Sequence, residues 1–243
     1  MAEKSLLEQM RGDVQRALNK PMGQRRWAMI VDIRKCVGCH ACTVACKAEN
    51  LTPPGVDYRI VREAEDGQYP NVQHYFMPTL CMQCEKPPCV AACKDGSVTK
   101  GKDGVVRIDY AKNTGDPAVV KACPYDAMSI DDAGYYTDGT PQHEMYEDAD
   151  TFEYGLKSGR KGKMHKNRKC HYCLHRVEVG MLPACVTTCI GAANYFGDLN
   201  DPDSVVAKVA KDKNIYIFRA DQKTGPTTRY MSADPQSCAK CHE

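Results

Sequence analysis

Cys36, Cys39, Cys42 and Cys46 form a C-x2-C-x2-C-x3-C run early in the chain. Thiolates at that spacing hold a [4Fe-4S] cube. Three sulfurs two residues apart on a tight loop converge on one cube. The fourth, three residues on and entering a helix, points away toward a second cube. Such a run therefore predicts partner cysteines elsewhere, and the chain supplies them. A second group is Cys81, Cys84, Cys89 and Cys93. A third is a lone Cys123 followed by Pro124. A fourth is Cys170, Cys173, Cys185 and Cys189. Near the C-terminus, Cys238-Ala-Lys-Cys241-His242 has the C-x-x-C-H form of covalent haem c attachment, with two thioether cysteines and one axial histidine.

Some element must present each of these groups. Trp27 to Ile33 reads as a strand delivering the first run, and Pro53-Pro54-Gly55 ends the helix that follows it. Upstream, Leu6, Leu7, Met10, Val14, Ala17 and Leu18 recur at helical spacing until Pro21. That helix is expected to pack on the body or on a partner. Val105 to Asp109 reads as a short strand after the turn at Lys102-Asp103-Gly104.

A chain of 243 residues can fold as one or two domains. Only 42% of it is hydrophobic, and the mean hydropathy is −0.53, so cofactor is expected to fill much of the interior. The net charge of +2 gives no global field for nucleic acid or membrane. The basic run in 157–169 has no interleaved aromatic platform, so nucleic-acid binding is not expected. No stretch approaches the ~20 apolar residues of a membrane span. The apolar run after Arg25-Arg26 is too short for a signal h-region, so any export is expected to depend on a partner. A disulfide scaffold is disfavoured by the C-x2-C repeats, which point to metal.

Six segments together carry a resemblance: Cys36-Val-Gly-Cys-His-Ala-Cys, Cys84-Glu-Lys-Pro-Pro-Cys, Ala122-Cys-Pro-Tyr-Asp-Ala, Lys169-Cys-His-Tyr-Cys-Leu-His-Arg, Pro183-Ala-Cys-Val and Phe196-Gly-Asp-Leu-Asn-Asp-Pro. From about residue 27 to about residue 231, the chain resembles the iron–sulfur electron-transfer subunits of the dimethyl sulfoxide reductase family of molybdopterin enzymes. The resemblance implies an α+β, loop-rich fold of two ferredoxin-like two-cluster modules, one inserted in the other. It also implies four cubes in which groups one and four exchange ligands, as do groups two and three.

This chain departs from that pattern at group three. It reads Lys112-Asn-Thr-Gly-Asp-Pro-Ala-Val-Val-Lys-Ala122 where the family has three leading cysteines. One cube has therefore lost its ligands, as in the beta chain of pyrogallol–phloroglucinol transhydroxylase. The family pairing then implies three [4Fe-4S] clusters. The first takes Cys36, Cys39, Cys42 and Cys189. The second takes Cys46, Cys170, Cys173 and Cys185. The third takes Cys81, Cys84, Cys89 and Cys123. Cys93 is left over, as an inert buried thiol.

The expected organisation is an N-terminal helix and linker (1–26), a first module (27–70 and 165–197), an inserted second module (71–130), a charged insertion loop (131–164) and a C-terminal tail (198–243). His40, His171 and His175, inside or beside Cys loops, are expected to bond cluster sulfur through ring N–H groups. Met231 is one candidate sixth ligand for a haem on Cys238, Cys241 and His242.

No catalytic constellation stands out, so the chain is expected to be a non-catalytic electron wire. The resemblance implies a molybdopterin-type catalytic partner on one side and a membrane quinone-reactive subunit or cytochrome on the other. A haem would favour the periplasm, reached by export with a partner. The alternatives are a soluble cytoplasmic transhydroxylase-like subunit without haem, and a zinc-binding interaction module. The substrate, the direction of electron flow and the cluster potentials are not encoded in any motif.

Overall fold

The computed structural model describes residues 4–132, 151–152, 155–156 and 163–232. In chain order the regular elements are α1 (Leu6–Leu18), β1 (Trp27–Asp32), α2 (Ala41–Asn50), β2 (Arg59–Asp66), β3 (Gln73–Leu80), α3 (Pro88–Ala92), β4 (Val98–Lys100), β5 (Val106–Ile108), α4 (Pro117–Lys121), β6 (Met128–Ile130), β7 (Thr151–Phe152), β8 (Gly155–Leu156) and β9 (Asn167–Lys169). After these come α5 (Leu174–Val177), α6 (Ala184–Thr187), β10 (Asn194–Asp198), α7 (Val205–Val209), β11 (Ile215–Tyr216) and β12 (Thr228–Met231). The fold is mixed α and β, loop-rich, with small sheets. One sheet has four strands in the order β10-β1-β12-β11, and the others pair two strands each.

β1 is buried along its whole length because it lies between β10 and β12. An inner strand covered on both faces reads as a continuous apolar run, as Trp27-Ala-Met-Ile-Val31 does. The Trp27 ring stacks on Phe196 of β10 at 5.5 Å, and the Tyr172 ring meets Phe196 edge-on at 5.4 Å. That contact ties the fourth cysteine group to the sheet. α1 starts at a reciprocal cap: Ser5 Oγ accepts from the Glu8 amide, and the Glu8 carboxylate accepts from the Ser5 amide. It buries Met10, Val14 and Ala17, and its Asp13 accepts the Val205 amide at the start of α7.

The stretch from residue 198, expected as a tail, belongs to the body as far as Ser232. β12 pairs in parallel with β1, Met29 opposite Thr228 through Asp32 opposite Met231. A parallel partner some two hundred residues away leaves no local signal, so the sequence pattern does not reveal it. Most of the expected insertion loop lies outside the described residues. So do Cys238, Cys241 and His242.

Candidate metal centre

Three cysteine loops share one backbone device. The residue just before the second cysteine has a positive φ in each: Gly38 at 66°, Gln83 at 48° and Tyr172 at 58°. Left-handed backbone costs a non-glycine residue roughly 1–2 kcal/mol and is tolerated where a site requires it. It curls each loop so that successive sulfurs and amides face one concavity. At Gly38 a side chain is also sterically barred, because a Cβ there would strike the Phe76 ring.

The loops bring distant cysteines together. Cys36, Cys39 and Cys42 line one cavity with Cys189, which comes from the segment after α6. Cys81, Cys84 and Cys89 line another with Cys123, just beyond α4. Their atom-free volumes are nearly equal, about 350 and 340 Å³. Cys46 sits one turn beyond Cys42 on α2, about 6 Å further along the axis. That offset takes it out of the first cavity. Its electrostatic neighbours are Cys173, Cys170 and Cys185, and the Asn50 side-chain amide donates to both Cys46 Sγ (3.5 Å) and Cys173 Sγ (3.7 Å). Cys170 in turn lies near Cys81, so the three sets are consecutive.

These thiols are buried without any disulfide among the described residues. Burial pushes Cys84 up to about 11 and Cys89 up to about 12, and it raises Cys46 well above the ordinary thiol range. Left as thiols they would be inert; iron would hold them as thiolates. One guanidinium also requires an anion here. Arg59 is buried beside Cys42 and Cys185, and its Nε has no hydrogen-bond partner. The donors therefore fit an anionic iron–sulfur cube. Zinc would need its donors gathered about 2.3 Å from a single point. Among the described residues no three His, Cys, Asp or Glu side chains gather in that way.

One ring nitrogen of each of the three histidines has a protein partner. His40 Nε2 faces Glu63 at 3.2 Å, His175 Nε2 faces Glu49 at 2.8 Å, and His171 Nδ1 accepts from the Leu174 amide. Cysteine sulfur accepts from Asn50 and from the amides of Tyr172 and Ala193, which donate to Cys170 and Cys189. Met231 is buried, and its sulfur accepts from the Arg34 guanidinium at 2.6 Å. The closing cysteines of the second, third and fourth groups sit just past short helices.

Cys93 is occupied as well. Its thiol donates to Asp95 Oδ1 (2.9 Å), and its sulfur accepts from the Val98 amide (3.2 Å). That thiol, with Ser97, holds the Asp95 carboxyl well below its usual range. Where the family keeps three further cysteines, Thr114 donates to Asp95 and Asn113 bonds Ser97 and Asn167. A polar network fills the place. Cys93→Ser is therefore expected to leave iron content unchanged, checked by iron and acid-labile sulfide assay; a loss of about a quarter or more would contradict it.

Sequence reasoning missed Asn50, Arg59, Lys169 and Asn194. Each is a common residue outside the cysteine spacing, and only Lys169 adjoins a cysteine.

Residues 72–138 and 154–199 match the family model of the 4Fe-4S dicluster domain. The chain is 45% identical over 230 residues to the B subunit of selenate reductase from Mesobacillus selenatarsenatis, covering 93% of this chain and 79% of that one. It is 33% identical over 219 residues to the B subunit of tetrathionate reductase from Salmonella typhimurium, covering 87% and 74%. It is 30% identical over 230 residues to the arsenate respiratory reductase iron–sulfur subunit of a Shewanella species, covering 85% and 96%.

Proposed function

We propose a three-cube wire for this chain, which belongs to the iron–sulfur electron-transfer subunits of the dimethyl sulfoxide reductase family of molybdopterin enzymes. It is an electron-transfer subunit and not the catalytic one. In our reading Cys36, Cys39, Cys42 and Cys189 hold the first cube. Cys46, Cys170, Cys173 and Cys185 hold the second. Cys81, Cys84, Cys89 and Cys123 hold the third. Groups one and four make one ferredoxin-like module, and the second module is inserted in it. The observation that carries this reading is the pair of near-equal cavities, each walled by four cysteines from two distant segments. When bound, the cubes supply outer-sphere one-electron transfer; the chain sets their spacing, burial and hydrogen bonding.

The first-cube end is the face we assign to a molybdopterin catalytic partner. Cys39 is exposed there, and Val37 and Ile190, which line the same cavity, are exposed as well. Apolar groups around a redox centre suit a protein interface. The third cube, last in line once the fourth is gone, then faces a membrane quinone-reactive subunit or a cytochrome. No described helix is long and apolar enough to cross a membrane.

The C-x-x-C-H at Cys238, Cys241 and His242 favours a haem c and hence a periplasmic complex. The test is a dithionite-reduced spectrum of the native complex with a haem-peroxidase stain of the denatured gel. Sharp reduced α and β bands with a stained band at 27.0 kDa are expected. Brown absorbance without that band sinks the haem and moves the cytoplasmic, haem-free reading up. A colourless protein sinks the cubes.

A further inference from the structure

Arg168 is fully buried and pairs with the equally buried Asp131 at 2.7 Å. Two other buried cations are placed differently. Arg59 and Lys169 are each 2% exposed, and among the described residues no carboxylate pairs with either. Removing a cation from water costs several kcal/mol even after relaxation, so each needs an anion close by.

Their positions indicate which anion. Arg59, at the start of β2, lines the first cavity together with Cys36, Cys39, Cys42 and Cys189. Its guanidinium donates to Asn194 Oδ1 at 2.5 Å, and the Asn194 amide donates to the Cys185 carbonyl. Arg59 thus lies between a cysteine of the first set and one of the second. A guanidinium keeps its charge in a protein, so burial cannot be relieved by loss of a proton. Lys169, at the end of β9, adjoins Cys170 of the second set, and its Nζ donates to the Cys170 carbonyl at 2.7 Å. It also lines the third cavity with Cys81, Cys84, Cys89 and Cys123.

We propose that Arg59 and Lys169 set the potentials of the wire, one buried cation at each junction between successive cubes. This rests on the three-cube reading. A cube that gains one electron becomes more negative by one charge, with no proton taken up and no bond broken. A fixed cation at low dielectric stabilises that added charge. A cation shared between two cubes raises the potentials of both.

The test is an EPR-monitored potentiometric titration of the holoprotein after iron and sulfide have been counted. Fewer than three cubes in the wild type defeats the reading beneath, not the inference. With three present, Arg59→Gln is expected to cut the reduced-to-oxidised ratio of the first and second cubes at least tenfold at fixed potential. That corresponds to about 59 mV for one electron. The third cube stays unmoved, and Arg59→Lys restores most of the shift. Lys169→Gln moves the second and third cubes and spares the first. Unchanged potentials in loaded variants overturn the inference. So does a shift in Arg59→Lys as large as in Arg59→Gln, since packing alone would then explain it. If Arg59→Gln does not load, 15N-arginine in the wild type decides: hyperfine coupling to the reduced first cube supports the inference, and its absence overturns it.

Discussion

Cys46→Ala is expected to remove the second cube and spare the first, although Cys46 belongs by sequence to the first run. α2 places Cys42 and Cys46 on one face, one turn apart, and both are buried. The rise between them is about 6 Å. Cys42 walls the first cavity, whereas the neighbours of Cys46 are Cys173, Cys170 and Cys185. Asn50 reinforces the division by donating to Cys46 and Cys173 together. The variant should lose about a third of its iron and acid-labile sulfide. Spectra of the reduced protein should keep the first and third cubes. With the middle of the wire missing, electron passage between the ends should stop even though both ends still reduce. Loss of the first cube with retention of the second would refute the exchange of ligands between groups one and four.

Asp131→Ala should be the most damaging single change away from the cysteines. Asp131 follows β6 and accepts from Arg168 of β9, and both side chains are fully buried. Arg168 also donates to Tyr58 Oη (3.1 Å) and to the carbonyls of Asn50 (3.0 Å) and Leu51 (3.2 Å). Removing the carboxylate strands a guanidinium that cannot deprotonate. Breaking a buried pair in this way costs about 3–5 kcal/mol. Anaerobic urea unfolding of the holoprotein should show the loss as a lower midpoint. A change below about 1 kcal/mol, the scale of an exposed pair, would show that the site can admit water. Because Arg168 holds the end of α2, where Asn50 touches two sulfurs, the second cube should also become the first to be lost on mild chelation.

Several elements were legible for local reasons. The apolar spacing from Leu6 to Leu18 gave α1, and the unbroken run from Trp27 gave β1. Cys spacing alone marked the three cysteine loops, because loop length dictates how closely neighbouring sulfurs can converge. Other features were not legible. β12 was hidden because its partner β1 lies far away in the chain. The partners of the histidines were hidden too: Glu63, Glu49 and a backbone amide each engage one ring nitrogen, and they come from contacts that cysteine spacing does not mark.

The sequence by itself therefore determined the chemistry and the membership of each local cysteine group, since both follow from residue type and spacing within a few bonds. It also marked the missing group through the run from Lys112 to Ala122. Only the tertiary structure decided how the leftover Cys93 is satisfied, which stretch past residue 198 is core, and where Arg59 and Lys169 stand. Those outcomes depend on burial and on contacts between distant segments. The cost of a charge or an unpaired polar group is set by everything packed around it.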